Sequence, residues 1–227
     1  MKRTLRMADV IEDQKAILKK HDLPADAFGL YVDEWGMWVD QDEATDPPAL
    51  YQQGSIRDAI VAGLNLNLFH AHADVVKMTN IAQMVNVLQA MILTDGPDMV
   101  LTPTYHVFDM YQPFMGAEAL EMNLQLPDYV LGDVTVPAIS ASAARTEDSR
   151  IVLALVNASA HDDHLVDASA FGASKATGRI LQGEEMDSHN TFDAPDRVQP
   201  APYIVDGTAD DLVLSIPARS VVVVTLD

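Results

Sequence analysis

"GLYVDEWGMWVD", Gly29 to Asp40, decides how the first half of this sequence is read. Gly29-Leu30-Tyr31-Val32 has the short apolar run of a buried strand. Asp33 and Glu34 end it abruptly, just ahead of the chain's two tryptophans, Trp35 and Trp38. In parallel α/β folds the carboxyl ends of strands face the site, so a carboxylate placed there reads as catalytic. A carboxylate beside large rings suits sugar chemistry, because the rings lie on C–H faces while the carboxylate meets the anomeric carbon. The same residues also read as a cap on the following turn, with both tryptophans in the core.

Working outward, Met7, Val10, Ile11, Ile17 and Leu18 recur at helical spacing ahead of this strand and predict an amphipathic helix. The start of the chain is basic but has no apolar run like that of a signal peptide. After the strand, "DQDEATDPPAL" is a polar loop, either near a site or simply solvated. Ser55 is the candidate N-cap of a helix over 56–62, with Asp58 suited to its first turn. "GLNLNLFHAH" then reads as a second strand, and 79–93 as a helix whose apolar face is Ile81, Met84, Val85, Leu88 and Ile92. Asn80, Gln83 and Asn86 interrupt that helix. A buried amide without a partner costs about 1–3 kcal/mol, so any that face inward must bond a loop or a substrate hydroxyl.

His70 and His72, with Asp74 following, would share one side of the expected second strand and could face a metal ion. Such a site needs further strand-end ligands, and His106 is the next histidine along the chain. A polar layer is the simpler reading. Neither a metal nor any other cofactor is expected.

The second half changes character. "RIVLALVNAS", "GRILQGEEM", "DLVLSIP" and "RSVVVVTLD" are short β-branched runs between Gly, Pro, Asp and Ser, the pattern of an antiparallel sandwich. Glu184 and Glu185 are adjacent, point to opposite faces and make a poor acid/base pair. His189, in "DSHNTF", reads as ordering a loop. A chain of 227 residues has length enough for a large core. It has no cysteine, so disulfides and thiolate chemistry are excluded. Its 14 basic and 34 acidic residues give a formal charge of −20, which argues against nucleic acid or an anionic membrane as partner and is compatible with a neutral sugar. A cytoplasmic location is expected.

"VDEWG-x-W", "LYQQGSIRDAIVAGLNLNLF", "NIAQMVNVLQAMILTDG", "MVLTPTYHVFDMY" and "HNTFDAPDRVQP" together resemble glycoside hydrolase family 51, the α-L-arabinofuranosidases. The resemblance covers nearly the whole chain, with five motifs in order. It implies the C-terminal part of a (β/α)8 TIM barrel, an α/β segment over 1–110, followed by an all-β jelly-roll β-sandwich over 111–227. It also implies a retaining mechanism that releases terminal arabinofuranose from arabinan- or arabinoxylan-type glycans and their oligosaccharides. Glu34 then falls on the nucleophile, Trp38 on a ring walling the sugar pocket, and Gln83 on an amide that bonds a substrate hydroxyl.

The departures carry as much information. The family's acid/base glutamate follows an asparagine at the end of strand four, and no Asn-Glu dipeptide occurs here. The remaining pocket residues also come from earlier strands. "GLYVDEW" and "GLNLNLF" would be strands seven and eight, leaving apolar faces and strand edges for other protein to cover. The expected partners are therefore arabinofuranosyl oligosaccharides, together with either a homo-oligomer or a missing N-terminal barrel portion. The alternative is a non-catalytic remnant, or a subunit of a split enzyme, that folds or binds glycans without turnover. The sandwich is expected to be the part that resists proteolysis on its own.

Overall fold

The computed structural model describes residues 2–24, 27–40, 50–124, 128–132 and 134–227. The polar loop singled out in the sequence falls mainly on 41–49, outside the described residues.

Helix α1 (Lys2–Lys20) leads into strand β1 (Leu30–Trp35), helix α2 (Ile56–Ala71) and strand β2 (Val76–Ile81). β1 and β2 pair in parallel as a two-stranded sheet. Leu30, Val32 and Val76 turn one face of that sheet toward the core. On the other face the cross-strand partners Tyr31 and Met78 are 61% and 44% exposed, leaving an uncovered apolar surface.

Two expectations fail here. "GLNLNLFHAH" is not a strand but the second half of α2, and the expected helix over 79–93 is β2 followed by irregular chain and a hairpin. The L-N-L-N alternation misleads because α2 is enclosed on nearly every side and loses its one-sided apolar stripe. Its buried asparagines are both satisfied: the Asn65 amide donates to Val61 O within the helix at 2.9 Å, and the Asn67 amide donates across to Ser140 Oγ at 3.2 Å. The helical spacing over 79–93 is equally accidental. Ala82, Leu88 and Ala90 are buried while Met84 and Val85 are exposed, and Asn86 and Leu88 take left-handed φ values of 60° and 53°. The start of α2 does follow the sequence: Ser55 N–H and Oγ–H both donate to Asp58 Oδ2 at 2.8 Å.

The chain continues through the hairpin β3 (Ile92–Asp95) and β4 (Asp98–Leu101) to helix α3 (Pro103–Met110). Strands β5 (Glu118–Leu120), β6 (Asp128–Leu131), β7 (Val134–Pro137), β8 (Ile139–Arg145) and β9 (Ile151–Asn157) come next. β10 (His164–Asp167), β11 (Lys175–Gln182), β12 (Ala201–Asp206), β13 (Val213–Ile216) and β14 (Ser220–Leu226) complete the chain. Six of these form an antiparallel sheet in the order β12-β11-β14-β9-β8-β5. The β10–β13 pair covers one face, where Leu212, Leu214 and Ile216 meet Leu153, Leu155, Val222 and Val224.

The opposite face of the sheet is not left to water. Val152, Ala154, Val156, Val221 and Val223 share a core with Ile56, Ile60 and Val107 of α2 and α3. β9 and β14 are thus buried on both sides, which is why they read as unbroken apolar runs. The strands of the sandwich bury their own inner faces, while α2 and α3 cover the outer face of the six-stranded sheet. The chain folds an α/β segment and an all-β sandwich around a shared seam.

Polar side chains fix that seam. Tyr111 Oη–H and Ser142 Oγ–H both donate to Asn67 Oδ1 at 2.8 Å. Since the Ser142 proton is committed, the contact of 2.9 Å to His70 sets Nδ1–H as donor and Ser142 Oγ as acceptor. Burial holds the His70 pKa down to about 4 and pushes that of Tyr111 up. Ile56 and Arg57 N–H at the start of α2 donate to the carbonyls of Ser188 and Met186 at 2.9 and 3.0 Å. Asn190, fully buried, bonds Leu101 O and both N–H and C=O of Val198. "DSHNTF" is therefore a clamp on the α2 N-terminus, with His189 Nδ1 turned to Asp187 O at 2.7 Å.

Candidate active site

At the end of β1 the ladder loses register. Val32 pairs with Thr79 and Trp35 with Ile81, so three steps in one strand meet two in the other. The extra residue falls at Asp33–Glu34, and a bulge of this kind re-aims the side chains around it. Glu34 is left exposed while Trp35 turns inward, 5% exposed. Trp35 meets Phe69 edge-on at 5.4 Å and stacks with Phe108 at 6.1 Å between centroids. The two tryptophans thus divide the roles the sequence left open: Trp35 is core, and Trp38 stands 69% exposed.

Glu34 and Trp38 line one shallow hollow of about 220 Å³, together with Gly36, Met37, Ala82 and Leu88. The chain between the two residues is tightly held. Gly36 has φ +148°, and a Cβ there would sit 3.2 Å from Ala82 O and 3.4 Å from Gln89 Oε1. Met37 N–H donates to Gln89 Oε1 at 2.8 Å, and Gln52 Nε2–H donates to Met37 O at 2.9 Å. Gln52 Oε1 also accepts Val39 N–H at 3.2 Å, so Trp38 sits between two anchored residues. Gln89 in turn donates through Nε2 to Asp58 O at 2.7 Å and to Thr104 Oγ1 at 3.2 Å. One buried amide therefore joins the loop behind Glu34 to α2 and α3.

Sequence reading missed Gln52 and Gln89. The available signal was Gln89 itself, an amide set among the apolar residues of "VLQAMIL". Of the amides chosen instead, Asn86 closes its own loop by bonding Thr94 N, O and Oγ1. Gln83 follows the end of β2, after the cis Ala82–Gln83 peptide, and its side chain is exposed. The backbone of Ala82 lies against the hollow, while Gln83 itself is not among the residues lining it.

His70 and His72 do not converge. On the end of a helix rather than a strand they diverge, His70 toward Ser142 and His72 toward Glu12 Oε1 at 3.4 Å. Among the described residues no group of three or more His, Asp or Glu gathers as metal ligands would. No helix among them is long and apolar enough to cross a membrane.

Residues 33–220 match the model of the α-L-arabinofuranosidase C-terminal domain. An intracellular exo-α-L-arabinofuranosidase of Bacteroides ovatus is 39% identical over the whole of this chain, which covers 45% of that protein. An intracellular exo-α-(1→5)-L-arabinofuranosidase of Bacillus subtilis is 28% identical over 53% of this chain. Among solved structures, the family 51 arabinofuranosidase of Xanthomonas axonopodis pv. citri superposes with a TM-score of 0.93 at 43% identity, over 99% of this chain and 46% of its own. The family 51 enzyme of Thermotoga petrophila, at 21% identity and a TM-score of 0.78, shares the fold. The chain spans about half the length of the relatives it matches.

Proposed function

Because the chain belongs to the α-L-arabinofuranosidase C-terminal domain family, we propose that it carries the nucleophile side of a retaining arabinofuranosidase site, with Glu34 as nucleophile. The observation that carries this is the placement of Glu34 and Trp38 in one hollow at the end of a parallel strand. In the proposed reaction a Glu34 carboxylate oxygen attacks the anomeric carbon of a terminal arabinofuranose. The bond to the leaving oxygen breaks and a glycosyl ester forms, which water then hydrolyses. Trp38 walls the sugar, and Gln83 closes on a hydroxyl when substrate is present.

The leaving oxygen needs a proton, and a retaining pair sets its second carboxylate about 5–5.5 Å from the first. We assign that group to further barrel strands that pair with the free edges of β1 and β2 and cover Tyr31 and Met78. The substrates are arabinofuranosyl oligosaccharides, acted on inside the cell, in keeping with the intracellular exo-arabinofuranosidases this chain resembles.

The test uses a fluorinated arabinofuranosyl ester-forming reagent on the chain completed with the N-terminal part of a relative. The label should appear on the peptide containing Glu34, and EDTA should leave the activity unchanged. Label on Asp33 or on a sandwich carboxylate would overturn the assignment. The chain by itself should turn over unactivated oligosaccharides about 10²–10⁴-fold more slowly, the usual value of general acid help.

A further inference from the structure

A second hollow, of about 470 Å³, lies beside the first and is lined by Tyr51, Asn86, Val87, Leu93, Thr94 and Phe192. The two share a wall: Val87 lines one and its neighbour Leu88 the other, and Leu88 bridges in parallel to Tyr51. We propose that this second hollow holds a neutral pentose unit of the glycan chain, next along from the arabinofuranose at Glu34, between the rings of Tyr51 and Phe192. The proposal rests on the function assigned above and deepens it to a preference for oligosaccharides over single sugars.

Both rings stand on backbone that is held in place before any ligand arrives. Tyr51 is held by the Leu88 bridge and by its hydroxyl, which donates to Gln53 Oε1 at 3.3 Å. Phe192 is 41% exposed on a loop closed by reciprocal Thr191–Ala194 backbone bonds and anchored by Asn190. Asn86 and Thr94 make the floor rigid by bonding each other. Rings carried on backbone held in advance cost less ordering on binding. An aromatic face with a few polar groups beside it matches the C–H face and hydroxyls of a sugar. A chain carrying a formal charge of −20 repels an anionic ligand, so a neutral one fits.

Phe192 comes from the sandwich and Tyr51 from the approach to α2, so the hollow exists only because the "DSHNTF" clamp brings the two segments together. Each segment alone offers a single ring. The sandwich thereby becomes part of substrate recognition as well as a cover for α2.

The test is binding of L-arabinose and of a linear α-1,5-arabino-oligosaccharide to the full chain, followed by NMR shifts and calorimetry. The oligosaccharide should bind more tightly than the monosaccharide. Phe192→Ala should weaken the oligosaccharide about fivefold to tenfold, the order for loss of one stacked ring, and leave the monosaccharide unchanged. Phe192→Trp keeps a ring at the position and should restore binding, which separates stacking from misfolding. Trp38→Ala should weaken both ligands. If Phe192→Ala leaves the oligosaccharide unaffected while Trp38→Ala weakens it, this inference fails and the assignment of the first hollow stands. If Trp38→Ala changes neither ligand while Phe192→Ala weakens the oligosaccharide, the first hollow is misassigned. An oligosaccharide that binds no more tightly than the monosaccharide overturns this inference, as does self-association of the chain through Phe192.

Discussion

Replacing Gln89 by leucine should be among the most damaging single changes near the site, although Gln89 does not line the hollow. The side chain is 0% exposed and makes three hydrogen bonds, to Met37 N, Asp58 O and Thr104 Oγ1. Leucine keeps most of the volume, so the cavity contribution is small. What is lost is polar: a typical bond contributes about 1 kcal/mol net, and each stranded buried group costs about 1–3 kcal/mol. With Met37 N–H stranded and the bonds to Asp58 O and Thr104 lost, the expected loss is about 3 kcal/mol, a large share of the 5–15 kcal/mol usual for a domain. Urea unfolding should show it as a lower midpoint at unchanged slope. Hydrogen exchange should speed up at Met37.

Gln89→Glu sharpens the test. One oxygen can still accept from Met37, but the other reaches Asp58 O only if protonated. Burial and this contact raise the folded pKa above the unfolded value near 4.3. As pH rises past ~4.3 the unfolded chain gives up its proton first, so stability falls until the folded pKa is passed. Measured against the parent protein at each pH, this variant should be least impaired in acid and most impaired at neutral pH. A Gln89→Leu loss below about 1 kcal/mol, with Met37 exchange unchanged, would refute the claim that this amide holds the loop.

His70 should titrate near pH 4 in the folded protein, and a proton NMR midpoint near 6.5 would contradict its burial. Below pH 6.5 the unfolded chain takes a proton on this ring that the folded chain refuses until about pH 4. Stability should therefore drop as pH falls through that window, by up to about 3 kcal/mol at ~1.36 kcal/mol per unit. Gly63→Ala should destabilise the seam, since a Cβ there would sit 2.8 Å from Val156 Cγ2. Overpacking costs about 1–3 kcal/mol against about 1 kcal/mol gained in helix propensity, so a raised Tm would show that α2 sits more loosely on β9.

The sequence alone determined what depends on local chemistry. Abrupt carboxylates after "GLYV" marked a strand end, Ser55 and Asp58 marked a helix start, and the β-branched runs marked the sandwich. Five ordered motifs pointed to the family to which the chain belongs. Periodicity failed where burial is on all sides. α2 lies between the parallel pair and the six-stranded sheet, so its apolar residues occupy every face and its spacing resembled that of a strand.

Only tertiary structure decided which tryptophan is core, because that follows from a one-residue slip between β1 and β2. It also decided that His70 belongs to a seam with Ser142, a residue 72 positions away, and that Gln89 reaches back 52 positions to Met37. A buried polar group must find a partner somewhere. Its type can be read from the sequence, but which distant atom satisfies it is fixed only when the elements pack.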